Sequence, residues 1–399
     1  MLTLDRIYQA AHILKDVVRK TDLILSPNIA PECELYLKSE NLQITGSFKV
    51  RGAYFKIATL PPEDKAKGVI ACSAGNHAQG VALAAQHAGI AATIFIPSVA
   101  PLSKVEATKR LGAQIELVDG VYDDAFDAAL AFQKQCGGVF IHPFDDIDVI
   151  AGQGTIALEI IDQISGLDAV VVPVGGGGLI SGVAFAIKML KPTCKVYGVQ
   201  AVGAGSMRDS LRCKKRECLS SVSTFADGIA VKSPGLNTYE YCTRYVDEIV
   251  TVSDDEIATA ILALMEQQKL VAEGAGAVAV AAAMFGKLPI KGKKTCAIVS
   301  GGNIDVNILS RVINRGLLTT GRLSELNIEM LDKPGQLKEV SAIIADLGAN
   351  VTKVLHNPGG ENTDINGCYL HISMETKNKG HFLDIKQAIQ KAGYKIVED

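Results

Sequence analysis

Lys49 is the side chain of this sequence with the clearest capacity for covalent chemistry. It follows Phe48 and lies within residues 46–53, a stretch that contains several small side chains. If Ser47 caps the helix predicted by the residues that follow, Lys49 lies in its first turn, where a helix carries partial positive charge. That charge disfavours an ammonium group, so we expect a lowered pKa and an amine able to form imines. A solvated surface lysine is the alternative, and the lysine alone does not decide between them.

Four consecutive glycines form the strongest glycine signal in the chain. They follow residues 169–174, an apolar run that predicts a buried strand, and they precede a predicted helix. Backbone without side chains lets several N–H groups approach one anion, and the N-terminus of a helix attracts negative charge. Glycines that only permit close packing are the alternative, but four in a row exceed what we expect packing to need. The turn therefore predicts a phosphate site formed by Gly175, Gly176, Gly177, Gly178 and Leu179.

A dinucleotide site is the obvious rival for this turn. The pattern G-x-G-x-x-G fails in every register because Ile180 and Ser181 follow the glycines. Gln200 ends the next predicted strand, where a ribose-binding acid is expected. The phosphate therefore belongs to a cofactor smaller than a nucleotide.

Two further turns also join a predicted strand to a helix. Residues 73–77 offer backbone donors that suit a carboxylate, and Asn76 can hydrogen-bond a phenolic or carbonyl oxygen. A plain helix cap is the alternative there, and His77 is predicted to be a structural residue rather than a base. Residues 300–303 offer the Ser300 hydroxyl to a ring nitrogen, with an ordinary loop as the alternative.

A phosphate cradle, an imine-forming lysine and an adjacent aromatic ring together suggest pyridoxal phosphate. The motifs S-F-K-x-R-G-A, S-x-G-N-H, G-G-G-G and S-G-G-N stand in the order and spacing of the serine/threonine dehydratases. The chain resembles this family of fold-type II pyridoxal-phosphate enzymes over roughly residues 1–320. The resemblance implies a tryptophan synthase β-like arrangement of two α/β lobes.

The resemblance also implies a role for each motif residue. Lys49 would hold pyridoxal phosphate as a Schiff base and would move the Cα proton of the substrate. Phe48 would pack against the pyridine ring. The implied contacts are Asn76 to the 3-hydroxyl, Ser300 to the ring nitrogen, the glycine turn with Leu179 to the phosphate, and Ser73, Ala74, Gly75, Asn76 and His77 to the substrate carboxylate.

The implied activity is that of a carbon–nitrogen lyase acting on a small amino acid. Threonine would give 2-oxobutanoate and ammonia, and serine would give pyruvate. Ala74 stands where serine racemases of this fold carry a serine, so we expect little racemisation. Gln200 stands where some relatives carry a metal-binding glutamate, so no metal is expected. Two alternatives stay open: another β-eliminating or β-replacing enzyme (threo-hydroxyaspartate dehydratase or cysteine synthase-like), and a non-catalytic amino-acid sensor.

Apolar strands that alternate with helices must position these residues. They predict two open, mostly parallel sheets covered on both faces, with ligands at the carboxyl ends of the strands. We expect a catalytic domain over residues 1–321, whose smaller lobe covers roughly 45–150. Residues 322–399 predict a βαββαβ, ferredoxin-like unit that resembles an ACT regulatory domain. Its candidate amino-acid effector site contains Asp332, Pro334 and Gly335, and a plain dimerisation module is the alternative.

Composition narrows the class of protein. The net charge of −3 gives no reason to expect nucleic acid or an anionic membrane as a partner. Nine cysteines without a C-x-x-C motif indicate reduced thiols, and no signal-like apolar segment stands at the start, so a cytoplasmic enzyme is expected. Because ACT-like units often pair side by side, we expect a homodimer or homotetramer.

Overall fold

The computed structural model describes residues 1–358 and 365–397. The chain divides into two compact units, Met1–Ile308 and Leu309–Asp399. The point of division lies inside the helix Val306–Thr320. The expected domain boundary near Gly321 stays a prediction.

Strands and helices alternate through most of the described residues. The strands are β1 (Leu23–Leu25), β2 (Glu34–Ser39), β3 (Val69–Cys72), β4 (Ala92–Pro97), β5 (Gln114–Val118), β6 (Val139–Phe140), β7 (Ala169–Pro173), β8 (Lys195–Ala201), β9 (Glu248–Val252), β10 (Lys294–Val299), β11 (Leu323–Leu331), β12 (Asn350–Pro358), β13 (Gly367–Glu375) and β14 (Lys395–Val397).

The helices follow the strands along the chain in both units. They are α1 (Leu4–Leu14), α2 (Lys49–Ala58), α3 (Pro62–Lys65), α4 (Asn76–Ala88), α5 (Leu102–Lys109), α6 (Tyr122–Cys136), α7 (Ile147–Gln163), α8 (Gly178–Leu190), α9 (Ser206–Cys213), α10 (Leu236–Tyr245), α11 (Asp254–Ala263), α12 (Gly274–Met284), α13 (Val306–Thr320), α14 (Gln336–Asp346) and α15 (Lys379–Lys391). Short 3₁₀ turns and one π-helical turn, Leu264–Gln268, connect some of them.

The first unit contains two open sheets. The larger has the strand order β1-β2-β10-β7-β8-β9, and the smaller has the order β5-β4-β3-β6. Every pairing is parallel except that of β1 with β2. All five residues of β7 are buried, as expected for a strand with helices on both faces of its sheet. The predicted pair of mostly parallel sheets is confirmed.

Close packing of two helices fixes the element that follows the glycine turn. At Gly182 of α8, an added Cβ would lie 2.3 Å from the Ile150 carbonyl oxygen of α7. The backbones of α7 and α8 can approach this closely only because Gly182 has no side chain. The start of α8 is therefore held against the core of the larger lobe.

The second unit has the predicted order of elements. Its antiparallel sheet has the order β12-β13-β11-β14, and α14 and α15 follow β11 and β13 along the chain. Its own core buries Ile328 of β11, Leu370 of β13, Ile344 of α14 and Ile385 of α15. This is the βαββαβ arrangement expected from the sequence.

Two further findings concern the helices. The helix α9 and the beginning of α10 lie within residues 203–240, a stretch that is less periodic in sequence than the rest of the first unit. Among the residues that the structure describes, no helix combines the length and the apolar character needed to cross a membrane.

Candidate active site

The helix that carries Lys49 begins differently from the prediction. Phe48, not Ser47, occupies the position before the helix, and no side chain caps it. Ser47 has extended backbone angles and pairs as an isolated β-bridge with Gly301. This pairing turns the Ser47 hydroxyl into the interior, where it has no hydrogen-bond partner. The prediction that Ser47 caps the helix is wrong, although Lys49 does lie in the first turn.

The Lys49 amine faces the cleft between the two lobes. Its Nζ donates a hydrogen bond of 2.9 Å to the Pro143 carbonyl oxygen and lies 5.4 Å from the centroid of the Phe48 ring. Loss of solvation lowers the pKa of Lys49 to about 8, and the nearby Glu273 carboxylate opposes this change. The lowered pKa agrees with the prediction, but its principal cause is burial rather than the helix terminus.

A buried ion-pair network holds the first turn of α2. The Arg51 guanidinium donates from Nε and Nη2 to the two carboxylate oxygens of Glu40, each at 2.8 Å. Its Nη1 donates to Glu159 of α7 at 2.7 Å. Burial alone would raise the pKa of Glu40, but Arg51 lowers it below its usual value. The Arg51 side chain thereby ties α2 to the 3₁₀ turn directly after β2 and to α7 through charge-assisted hydrogen bonds.

The glycine turn joins β7 to α8 and is closely packed. Gly177 has a φ of +98°, which favours glycine, and Phe144 packs so closely that a Cβ at Gly176 or Gly178 would collide with it. An added Cβ at Gly175 would also lie only 3.0 Å from Ile229 Cα. The expectation that four glycines exceed what packing needs is therefore wrong. The first N–H groups of α8 still have no partner within the helix, so the turn keeps its capacity for an anion.

The turn between β3 and α4 borders the cleft and contains a buried histidine. The Gly75 N–H donates to the Ser73 hydroxyl at 3.1 Å, so this donor is already engaged. His77 is buried, and its Nε2 is 2.8 Å from the Ile141 carbonyl oxygen. Burial and the charge of Lys49 lower the pKa of His77 to about 3. A neutral, hydrogen-bonded His77 agrees with the predicted structural role rather than that of a base.

Asn76 and Ser300 both face the cleft, and both have partners in the protein. Asn76 Nδ2 donates to Glu273 at 2.5 Å, and Asn76 Oδ1 accepts from Asn303 Nδ2 at 2.7 Å. An amide nitrogen carries two hydrogens, so Asn76 retains one donor for a ligand. The Ser300 hydroxyl lies 3.2 Å from the Ala275 carbonyl oxygen, and it can rotate towards another acceptor.

Sequence reasoning missed several residues of this cleft, which has a volume of about 1170 Å³. Glu273, which directly precedes α12, is the main omission, because its partner Asn76 is 197 residues away in the chain. An acid directly before a predicted helix was the available local signal. The cleft brings together every predicted site residue of the first unit: Phe48, Lys49, Ser73, Ala74, Gly75, Asn76, His77, Gly175, Gly176, Gly177, Gly178, Leu179 and Ser300.

The candidate effector residues belong to the second unit. Asp332, Pro334 and Gly335 lie between β11 and α14, and Gly335 has a φ of +100°. The Asp332 carboxylate lies 3.4 Å from His356 Nε2, and its backbone N–H donates to Asn366. The turn offers exposed polar groups, as an amino-acid site would need.

Comparison with known proteins decides the family. Residues 14–301 match the model of the pyridoxal-phosphate dependent enzymes, and residues 324–393 match the ACT domain. This chain belongs to the pyridoxal-phosphate dependent enzymes. Its fold-type II catalytic unit and its C-terminal ACT domain therefore confirm the fold class expected from the sequence.

Two relatives match nearly the whole chain, through both units. The protein named L-threonine ammonia-lyase from Thermotoga maritima is 51% identical over 398 residues, 99% of each chain. The one from Geobacter sulfurreducens is 42% identical over the same shares. The solved structure of processed threonine deaminase isoform 2 from Solanum lycopersicum has a TM-score of 0.74 and 40% identity, and the match covers 78% of this chain and 94% of that one.

The cleft of this pyridoxal-phosphate dependent enzyme fits its cofactor by the chemistry of its groups. A desolvated amine lies in the same cavity as a helix N-terminus at a glycine turn. An amide donor and a hydroxyl border that cavity, and an aromatic ring stands beside the amine. An aldehyde, a phosphate, a phenolic oxygen and a ring nitrogen are the groups that these residues can accommodate.

Proposed function

We propose that this chain deaminates L-threonine to 2-oxobutanoate and ammonia, and L-serine more slowly to pyruvate. The observation that carries the proposal is the Lys49 amine, which shares one cleft with the glycine turn and the two further strand-end turns. The names of the two full-length relatives support threonine as the substrate. A pocket distinguishes threonine from serine by one methyl group, which is worth only about 1–3 kcal/mol, so activity with both is expected.

The proposed cofactor contacts follow from the positions of the side chains. Lys49 would hold the aldehyde carbon, and Phe48 would pack beside the ring. The remaining donor of Asn76 would face the 3-hydroxyl, and the Ser300 hydroxyl would face the ring nitrogen. Backbone N–H groups of the glycine turn and of Leu179 would bind the phosphate.

We propose that proton transfer takes place on one face of the substrate Cα only, the face of Lys49. Bound pyridoxal phosphate supplies an electron-withdrawing ring that acidifies the Cα–H bond of the amino acid. The turn at residues 73–77 would hold the substrate carboxylate through backbone N–H groups, and Lys49 would then take the Cα proton. Ala74 carries no hydroxyl, so this position gives no second acid or base. Elimination of the β-hydroxyl is therefore favoured over racemisation.

A substrate panel tests this activity. The purified chain is given threonine, serine, threo-hydroxyaspartate, O-acetylserine with sulfide, and D-serine, and the released ammonia and 2-oxo acid are measured. We expect threonine to give the highest kcat/KM, with equal amounts of the two products. A higher kcat/KM for hydroxyaspartate, or cysteine formation from O-acetylserine, would replace the proposed function by one of its rivals. No turnover of any substrate would favour an amino-acid sensor.

We also propose that the unit beyond Gly321 is the regulatory domain, that it binds an amino acid at Asp332, Pro334 and Gly335, and that it pairs in a homodimer or homotetramer. The ACT match supports a regulatory role. Equilibrium dialysis of the full chain with a panel of amino acids tests the effector, and sedimentation tests the assembly. Binding that survives Asp332→Ala unchanged would place the effector elsewhere.

We propose a cytoplasmic location for the protein. Its nine free cysteines support a reducing setting.

A further inference from the structure

Glu273 is a buried carboxylate inside the cleft that none of the proposed contacts uses. It precedes α12, but its side chain does not cap that helix. Its backbone N–H donates to the Gly301 carbonyl oxygen at 3.1 Å, and only 5% of the residue is exposed. A carboxylate at such a depth has to be stabilised by the groups around it.

The nearest of these groups is the Asn76 amide. Glu273 Oε1 accepts the 2.5 Å hydrogen bond from Asn76 Nδ2, and Asn303 donates to the other end of the same amide. Asn303 Nδ2 also donates to the Thr45 carbonyl oxygen at 2.7 Å. The amide of Asn76 is thus held at both ends, with a donor at one end and an acceptor at the other, which sets the direction of its free N–H.

Two lysines, Lys104 and Lys49, act on the Glu273 carboxylate. Lys104 of α5 and Asp227 both act on the carboxylate, but they form an ion pair with each other. Lys49 of α2 lines the same cleft as Glu273, and its Nζ donates to a neutral acceptor, the Pro143 carbonyl oxygen. The negative charge of Glu273 is therefore available to the amine of Lys49.

We propose that Glu273 is a positioning residue that acts through two neighbours: it orients the Asn76 amide, and it supplies the buried negative charge that holds a proton on Lys49. This inference rests on the proposed function, because it assigns a role toward the amine and the amide that would contact the cofactor.

The electrostatics of the pair agree with this geometry. Burial, and then Asp227, raise the pKa of Glu273 to about 7, while Asn76, Lys104 and Lys49 lower it. Glu273 in turn raises the pKa of Lys49, against the larger effect of burial. The pKa values of the two groups, about 7 for Glu273 and about 8 for Lys49, therefore lie close together, so the protonation of one affects that of the other.

The test measures Lys49 directly. The full chain is freed of cofactor, its lysines are modified with trinitrobenzenesulfonate across a pH range, and the modification of Lys49 is followed by peptide mass spectrometry. Glu273→Gln keeps the shape and an acceptor for Asn76 but removes the charge. We expect the pH midpoint for Lys49 to fall by roughly one pH unit. The exposed Glu248→Gln is the matched control and should leave the midpoint unchanged.

A second variant separates the charge of Glu273 from its hydrogen bond to Asn76. Glu273→Asp keeps the charge but is one methylene shorter, so Asn76 loses its partner. We expect a midpoint close to that of the wild type, together with a shifted visible absorbance of the bound cofactor and a kcat lower by about tenfold. Circular dichroism establishes that each variant is folded.

Three results decide the inference. A Lys49 midpoint in Glu273→Gln that is unchanged or raised would overturn the charge role. An unshifted cofactor absorbance in Glu273→Asp would overturn the orienting role. A chain that shows the midpoint shift but does not deaminate threonine would contradict the proposed function while leaving the charge pair in place.

Discussion

Gly177 and Gly335 adopt nearly the same backbone conformation in the two units, with φ values of +98° and +100°. Each directly precedes a helix that follows a strand. A Cβ at Gly177 would lie 2.6 Å from Met207 Cε and 2.8 Å from Thr238 Cβ, whereas a Cβ at Gly335 would meet no atom within 4 Å. The catalytic turn is therefore shaped by its packing as well as by its backbone, and the ACT turn by its backbone alone.

Charged side chains show the same contrast. Arg51 and Glu40 are almost completely buried, with side-chain exposures of 1% and 0%. In the ACT domain, Lys395 and Glu329 form an ion pair of 2.7 Å whose side chains are 72% and 30% exposed. The pair beside the active site is shielded from water, whereas this pair of the ACT domain remains hydrated. The two pairs therefore differ in the solvation that each charge loses on folding.

The largest expected difference is in the free energy of unfolding that is lost when each of these two ion pairs is broken. Arg51→Met leaves the Glu40 carboxylate buried without its partner, so we expect a loss of about 3–5 kcal/mol in the free energy of unfolding. Lys395→Met should leave the unfolding midpoint unchanged, because an exposed pair contributes little. Urea unfolding monitored by circular dichroism measures both. Equal midpoint shifts in the two variants would contradict the contrast.

The paired glycines give a smaller expected difference. Gly177→Ala and Gly335→Ala both impose a left-handed conformation on alanine, at a cost of about 1–2 kcal/mol each. Only Gly177→Ala also overpacks the core, which adds about 1–3 kcal/mol. Thermal unfolding compares the two, and retention of the cofactor absorbance on dialysis should fall only in Gly177→Ala. If Gly335→Ala proves equally costly, the ACT turn is not open.

Two histidines give the smallest expected difference. Nε2 of each lies close to a backbone carbonyl oxygen: His77 is 2.8 Å from Ile141, and the partly exposed His381 is 2.9 Å from Leu347. The folded-state pKa of His77 is lowered to about 3 from 6.5, so its stabilising contribution is complete above pH 6.5 and is lost as the pH falls towards 3.

We therefore expect wild type to lose about 1 kcal/mol more stability than His77→Gln between pH 6.5 and roughly 5.5. His381→Gln is the control, with the same chemical change at a more exposed position. Denaturant unfolding at several pH values measures the difference. An identical pH dependence for wild type and His77→Gln would show that burial does not keep His77 neutral.

Features determined by local sequence were predictable. Apolar strands, glycine turns after them and the change of pattern beyond Gly321 predicted both sheets of the catalytic unit and the ACT domain. The motif residues around Lys49 and the glycine turn lie in one cleft because parallel strands bring their carboxyl ends to one edge.

Features determined by distant contacts were not predictable. The helix α10 begins where Leu236 and Thr238 donate their N–H groups to Asp145, about ninety residues earlier in the chain. Ser47 fails to cap α2 because it pairs with Gly301. Glu273 is recognised only through its bond to Asn76. Each depends on a partner that residue spacing does not reveal.

The most direct test of the account combines trapping with turnover. Purified chain carrying its cofactor is reduced with borohydride and digested, and the modified peptide is identified by mass spectrometry, while a parallel sample is assayed with L-threonine. We predict the reduced cofactor on Lys49, equimolar 2-oxobutanoate and ammonia from the wild type, and neither the adduct nor turnover in Lys49→Ala. Cofactor trapped on another lysine, or threonine turnover that persists in Lys49→Ala, would contradict it.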